Sequence, residues 1–324
     1  MLNSKISVIM SVYNEEQSWI SESISSILNQ TYKNIELIIV NDNPDNIESK
    51  VIIDSFAIED ARVIVHNNKV NLGLIESLNI AFNLSSGAYI ARMDADDISM
   101  PNRFEVQSEY LVNNNLDLIG SNVELFDAST GTAFYTTDKL ITHKFISKML
   151  YQGTIGIVHP TFFARRAVYE VLQGYAYAPH TEDKEFLART LVNGFKVGNS
   201  SAVLLRCRYN SSSVTKTNAF YINMLGRYIT DCYKGFVLSG DYNYDPEFYS
   251  RLNPTDSEIE KYNMKQKYLY FARKSKGEKK LLRVVFYLFL SFVCSSSTFN
   301  NVKVNLYLRG YRMCEKMTKI GKGI

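Results

Sequence analysis

The first hundred residues alternate between short apolar runs and stretches whose apolar positions recur at helical spacing. Residues 6–12 form a nearly continuous apolar run between polar neighbours, the pattern of a central parallel strand covered on both faces. Trp19, Ile20, Ser23, Ile24, Ile27 and Leu28 follow at helical spacing, and residues 36–40 resume as a second strand, completing one βαβ unit. The alternation repeats with a helix over 47–56, a strand over 63–66, a helix over 74–84 and a strand over 88–93. A helix over 103–113 and a strand over 116–125 continue it, and the less regular stretch 134–153 holds a helix over 143–150. Residues 156–166 read as a strand interrupted at His159-Pro160, where proline suits an edge or a bend. An amphipathic run through Phe186, Leu187, Leu191 and Val192 precedes a strand over 196–207. From Thr217 onward the pattern turns helical and Tyr-rich, with Asn253-Pro254-Thr255-Asp256 as a break at a helix start. These elements predict an α/β domain over residues 1–215, with a doubly wound, mainly parallel sheet, and a mainly helical region over 216–324.

Ligands of such sheets bind outside the carboxyl ends of the strands. The strand exits here carry Tyr13, Asp42 and Asp94. No Gly-x-Gly-x-x-Gly turn follows the first strand, which disfavours a nicotinamide or flavin site. The densest chemistry lies in Met93-Asp94-Ala95-Asp96-Asp97, with Pro101 where a helix would begin. Along an extended chain Asp94 and Asp96 point to one side and Asp97 to the other. Two like charges ~4 Å apart repel by about 4 kcal/mol at an effective dielectric of ~20, so such a pair suits a cation between them. Mg2+ or Mn2+ takes one or two carboxylates and fills its shell with phosphate oxygens, which points to a nucleoside diphosphate. An Asp-x-Asp turn is equally the composition of a solvated helix cap, so the surroundings decide. Asn71-Leu72-Gly73 opens a helix whose first amides could face a phosphate.

Composition adds a charge asymmetry. The chain of 324 residues has a net charge of only +3, yet from Lys261 to the end fifteen Lys/Arg stand against Glu278 and Glu315, leaving the preceding part at −10. A basic tail on an acidic body implies an anionic surface as its partner. Residues 281–294 are apolar except Arg283, too short for the ~20 residues a spanning helix needs, and flanked by Lys276, Lys279 and Lys280. That is the pattern of an interfacial anchor on an anionic leaflet, or of a helix packed on the body with one solvated face. The four cysteines show no metal or redox spacing, and the N-terminus lacks the apolar region of a signal peptide. The expected location is therefore cytoplasmic, peripheral at the inner face of the plasma membrane, with no nucleic acid as partner.

Several ordered motifs together resemble family 2 glycosyltransferases, the inverting enzymes of GT-A fold. They are Ser7-Val8-Ile9-Met10-Ser11-Val12-Tyr13-Asn14, Ser26-Ile27-Leu28-Asn29-Gln30-Thr31-Tyr32, Glu36-Leu37-Ile38-Ile39-Val40-Asn41-Asp42, Ala91-Arg92-Met93-Asp94-Ala95-Asp96-Asp97 and Thr181-Glu182-Asp183. The resemblance covers roughly residues 5–215. It implies Tyr13 and Asp42 near the nucleotide base, Asp94 on the ribose or base side of the donor, Asp96 as ligand to Mn2+ or Mg2+, and Asp183 as the base that deprotonates the acceptor hydroxyl. Glu182, His159, Arg165 and Arg166 are candidate contacts to acceptor or diphosphate. The implied reaction moves a sugar from a nucleotide sugar, UDP-linked, to a saccharide acceptor. The basic, aromatic tail suggests a lipid-linked acceptor, as in O-antigen or capsule assembly. Two departures stand out: Asn41-Asp42-Asn43-Pro44 replaces the family's Asp-Asp-Gly-Ser, and Asn210 stands where many relatives have histidine. The alternatives are a sugar-phosphate nucleotidyltransferase, against which no Gly-rich, Arg/Lys-bearing loop follows the first strand, and a non-catalytic nucleotide-sugar-binding membrane partner.

Overall fold

The computed structural model describes residues 4–139, 141–209, 218–277 and 280–294. Asn210 and Cys314 lie outside them.

A sheet of nine strands forms the frame: β1 (Ile6–Val12), β2 (Ile35–Asn41), β3 (Val63–Asn67), β4 (Tyr89–Asp94), β5 (Ile98–Ser99), β6 (Leu118–Asp127), β7 (Ala133–Thr136), β8 (Phe163–Arg165) and β9 (Val197–Tyr209). The spatial order is β3-β2-β1-β4-β8-β6-β9-β5, with β7 beside β6. β1, β2, β3 and β4 are parallel neighbours, β8 runs antiparallel between β4 and β6, and β6 lies parallel to β9. The helices of this part are α1 (Gln17–Leu28), α2 (Ile47–Glu59), α3 (Leu74–Leu84), α4 (Arg103–Asn113), α5 (His143–Tyr151), α6 (Arg166–Leu172) and α7 (Glu182–Val192). The fold is the α/β, GT-A-like arrangement expected, a largely parallel curled sheet followed by helices.

Burial explains the apolar runs. Ile6, Val8, Met10 and Val12 of β1 share one core with Ile20, Ile24 and Ile27 of α1, Ile53 of α2 and Phe104 and Leu111 of α4. Ile9 and Ile38, of opposite parity, are buried too, and α3 packs on β1 and β2. Each such side chain taken from water contributes about 1.5–3 kcal/mol, which holds the strands whose ends carry the acids.

The chain divides into two compact units, Met1–Thr217 with Tyr228–Pro246, and Asn218–Arg227 with Glu247–Ile324. The sequence reading put one boundary after residue 215, whereas Tyr228–Pro246 returns to the first unit. Its aromatics supply the reason: the Tyr244 hydroxyl donates to the Tyr177 carbonyl at 2.7 Å, and Tyr242 reaches the Glu185 carboxylate at 3.5 Å. Helix α8 (Ala219–Ser239) is thus divided between the units. The second unit continues with α9 (Asp256–Gly277) and α10 (Leu281–Cys294). Thr255 caps α9: its hydroxyl accepts from the Glu258 amide at 3.3 Å while Glu258 accepts from the Thr255 amide at 2.8 Å. Cys207, Cys232 and Cys294 are free thiols.

Candidate active site

β4 delivers Asp94 to the carboxyl end of the sheet, and there the chain turns, the Asp97 amide bonding the Asp94 carbonyl. The turn brings Asp97 back towards its neighbours. Asp94, Asp96 and Asp97 each place a carboxylate oxygen within 4.8 Å of those of the other two, a donor set that suits a hard divalent cation. The sequence reading aimed Asp97 away, which holds along an extended strand but not past its end.

The three acids sit in different surroundings. Asp94 is half-buried, which by itself would raise its pKa, yet its Oδ1 lies 2.5 Å from Arg92 Nη2, and that cation keeps its carboxyl below the ordinary value. Burial pushes Asp97 well above it, with the charges of Asp96 and Asp94 adding; the Arg208 amide (2.9 Å) and the Cys207 thiol oppose the shift by donating to its carboxylate. Asp96 has burial, Asp94 and Glu15 against ionisation, outweighing its own backbone amide and Arg92. Its pKa is pushed up to about 7. Asp96 therefore gains most from a cation at this site.

β9 positions the acids from the other side. The antiparallel pairing of Ile98 with Arg206 and Ser99 with Leu205 sets Asp97 opposite Cys207 and Asp96 opposite Arg208. Arg208 donates from Nε to the Asp96 carbonyl at 2.9 Å and from Nη2 to Glu22 at 2.6 Å. Its guanidinium also lies over the rings of Trp19 and Phe126, at 4.8 and 4.7 Å. A flat cation clamped between two aromatics and two acceptors fixes the backbone of the acidic turn.

The second half of the site comes from the His159–Thr161 turn and from the start of α7. His159 is buried, with Nε2 3.0 Å from the Tyr175 hydroxyl and Nδ1 3.5 Å from Glu182. Burial, with Arg92 adding, pushes its pKa down to about 3, so the ring is neutral at physiological pH. Asp183 is half-buried; burial raises its pKa, His159 pulls it down, and its Oδ1 accepts from the Lys184 amide at 2.6 Å. Arg92 links the halves. It feels Asp94, Tyr175 and Glu182, and Asp183 feels it in turn. Among the described residues its Nε and Nη1 have no hydrogen-bond partner. Arg103, fully buried, bonds the carbonyls of Arg92 and Pro160 at 2.8 and 2.9 Å and so ties β4 to the His159 turn.

Tyr13, at the exit of β1, is exposed, while Glu15 folds back to accept from its amide at 2.7 Å. Asp42 is buried and accepts from Asn68 Nδ2 (2.7 Å) and from the Leu72 and Gly73 amides (2.8 Å each). The Leu72 and Gly73 amides, which could have faced a phosphate or simply shaped a turn, thus serve Asp42. Three of roughly four acceptor positions of that carboxylate are filled.

Arg165 and Arg166 require a correction. Arg165 pairs in register with Tyr89, at the opposite end of β4 from Asp94, because β8 runs antiparallel. At ~3.3 Å per residue the two ends are roughly 16 Å apart. Arg165 Nε bonds the Leu116 carbonyl (3.1 Å), and Arg166 bonds the carbonyls of Gly87 (2.7 Å) and Ser85 (2.6 Å). Both are latches at the far edge, not contacts to diphosphate or acceptor.

Arg92, Tyr175, Glu15 and Arg208 went unassigned in the sequence reading. Arg92 had a signal: two residues before Asp94 in one strand, it shares a face with it. The other three depend on pairings that only the fold supplies.

Residues 7–172 match the family model described as glycosyl transferase family 2. Among characterised and uncharacterised relatives, the chain is 35% identical to the uncharacterized glycosyltransferase MJ1057 of Methanocaldococcus jannaschii, over 63% of this chain and 70% of that one. It is 33% identical to the UDP-Glc:alpha-D-GlcNAc-diphosphoundecaprenol beta-1,3-glucosyltransferase WfgD of Escherichia coli, over 47% of this chain and 59% of that one. In fold it is similar to S. aureus TarS 1-349 in complex with UDP-GlcNAc, with TM-score 0.57 and 16% identity across 95% of this chain and 92% of that one.

Proposed function

The chain belongs to glycosyl transferase family 2, and on that premise we propose that it transfers a hexose from a UDP-linked sugar to a lipid-linked saccharide, with inversion at the anomeric carbon. The observation that carries this reading is the convergence of two acid groups on shared partners: Asp94 with Asp96 and Asp97 on one side, Glu182 with Asp183 on the other, joined through Arg92 and His159. The UDP donor and lipid-linked acceptor are supported by the substrates in the name of WfgD, by the sugar nucleotide in TarS and by the basic tail. Assembly of a surface polysaccharide such as O-antigen or capsule is the setting that fits.

Asp183 takes the proton of the acceptor hydroxyl. Burial brings its basicity closer to neutral pH, which suits a general base, a role worth ~10²–10⁴-fold in rate. As the acceptor oxygen bonds to the anomeric carbon, the bond to the diphosphate breaks on the opposite face and its electron pair leaves with UDP. Neutral His159 and Glu182 orient the acceptor side, and Arg92 keeps Asp94 ionised for the donor ribose. Tyr13 offers its exposed ring to the base, and Asp42 sets the Asn68–Gly73 loop with one acceptor position left for a base edge. Asp96, with Asp94 and Asp97, would hold Mg2+ or Mn2+. Such an ion, when bound, supplies Lewis-acid stabilisation of the charge developing on the leaving diphosphate.

The test is a panel of nucleotide sugars incubated with Mn2+, scored for released nucleoside diphosphate, with Asp96→Asn and Asp183→Asn beside the native chain. Hydrolysis or transfer from a UDP-sugar is expected, abolished in the first variant and reduced ~10²–10⁴-fold in acceptor-dependent transfer in the second. Full transfer by both variants overturns the assignment, and release of pyrophosphate would identify a nucleotidyltransferase instead.

A further inference from the structure

The second unit contains a surface that the transfer reaction leaves unused. In α10, Ser291 is fully buried and Val284, Tyr287 and Leu288 are partly buried, while on α9 Lys265, Leu269, Ala272 and Ser275 form a buried stripe. The two helices pack together, Phe271 meeting Tyr287 in a tilted ring contact at 5.3 Å, and the Lys280 amide bonding the Ser275 carbonyl at 2.9 Å where the chain reverses. The inner side of α10 is thereby accounted for.

The outer side is apolar and open. Leu282 is 87% exposed, Val293 67%, Phe289 61%, Val285 59% and Phe286 55%. At 3.6 residues per turn these five side chains fall within about 100° of arc, opposite Ser291. Leu281, 74% exposed, extends the stripe at its amino end. Large side chains are not left in water as a continuous helical stripe without a partner. Among the described residues, Lys274, Lys280 and Arg283 of this hairpin are exposed, and the sequence from Lys261 onward carries fifteen Lys/Arg against Glu278 and Glu315. A protein partner would have to match this excess with acids, whereas an anionic bilayer supplies apolar depth and negative headgroups together. Among the described residues no helix is long and apolar enough to cross a membrane, so α10 would lie in the interface rather than span it.

We propose that α10 docks on an anionic lipid surface, burying Leu282, Val285, Phe286, Phe289 and Val293 among the acyl chains while Lys280 and Arg283 meet lipid phosphates. The inference rests on this hairpin and is independent of the chemistry assigned to the candidate active site.

Cosedimentation of the full chain with phosphatidylcholine vesicles, with and without phosphatidylglycerol, tests it. Binding is expected with phosphatidylglycerol, weaker without it, and weaker as salt rises from about 0.1 M to about 1 M, where the screening length falls from about 10 Å to about 3 Å. Lys280→Gln and Arg283→Gln should each lower the partition coefficient about five-fold. Phe286→Gln with Phe289→Gln should lower it more than ten-fold, with hydrolysis of the soluble donor unchanged as evidence that the first unit is intact. No binding by the native chain, or equal binding by the phenylalanine variant, overturns the proposal. So does a native dimer in analytical ultracentrifugation that the same variant turns into a monomer, since the stripe would then cover a second copy.

Discussion

Glu36 offers a quantitative test of how the sheet is held at the end away from the acids. Its carboxylate, at the start of β2, accepts from the Ser7 hydroxyl and the Ser86 amide, both at 2.6 Å, and from the Ser86 hydroxyl at 3.0 Å; Lys5 pairs with it. Three strands are thereby joined, since Ser7 belongs to β1 and Ser86-Gly87 leads into β4, with the Gly87 amide bonding the Ser7 hydroxyl at 2.7 Å. Burial alone would raise the pKa of Glu36, but Lys5, Ser7 and Ser86 outweigh it and hold the group at about 2 against an ordinary 4.5. At 1.36 kcal/mol per unit that difference stabilises the fold by about 3 kcal/mol at neutral pH. The folded pKa lies below the unfolded one, so the contribution is complete above about 4.5 and is lost as pH falls towards about 2. Urea unfolding of the native chain and of Glu36→Gln, measured across this range, isolates the effect. Their stability difference should shrink by about 2 kcal/mol between pH 5 and pH 3. A difference that stays constant over that interval would refute the reasoning, because the carboxylate would then not be held ionised by its partners.

Two further predictions concern the site. Arg208→Lys keeps the charge but cannot bond the Asp96 carbonyl and Glu22 while lying over Trp19 and Phe126; Mn2+ affinity should fall about ten-fold, read by quenching of Trp19, the chain's one tryptophan, and unchanged affinity would remove Arg208 from the positioning of the acidic turn. His159, at about 3 in the fold against 6.5 unfolded, contributes stability that is complete above 6.5 and lost as pH falls below it, by about 2 kcal/mol at pH 5; His159→Gln should flatten this part of the pH–stability curve in urea unfolding, above the window in which Glu36 acts.

The strand and helix pattern could be read from the chain because strands buried on both faces must be apolar along their whole length. β1 and β2 illustrate it, each at least nearly buried throughout. Asp94 and Asp96 could be singled out because they stand at a strand exit of a largely parallel sheet, where ligands bind, although a solvated helix cap has the same composition. What could not be read depended on pairing. Alternation stops being informative where β4 ends, so Asp97 returns to the cluster. The antiparallel sense of β8 sends Arg165 and Arg166 to the wrong edge, and nothing in Phe162-Phe163-Ala164-Arg165 announces its direction. Arg208 becomes a clamp only through the register of β9 on β5. Similarly, the composition of Tyr242-Asn243-Tyr244 gives no sign that it returns to the first unit.

The division of labour among the three clustered acids follows from what each already has. Asp94 has a dedicated cation in Arg92, so it is ionised whether or not anything binds, and its charge is partly spent inside the protein. Asp97 has the Arg208 amide and the Cys207 thiol, donors that serve a carboxyl in either protonation state and anchor it to β9. Among the described residues Asp96 has neither an ion pair nor a side-chain hydrogen bond from another residue, and it faces the charges of Asp94 and Glu15. A fold selected for stability alone would remove Asp96, since about 4 kcal/mol of repulsion per close pair is relieved by any neutral side chain. The rest of the architecture instead holds it in place: Arg208 grips its carbonyl, and Arg103 braces the strand before it against the turn of His159. Such support around an unsatisfied carboxylate makes physical sense when a cation completes it, which is the role proposed above for Asp96.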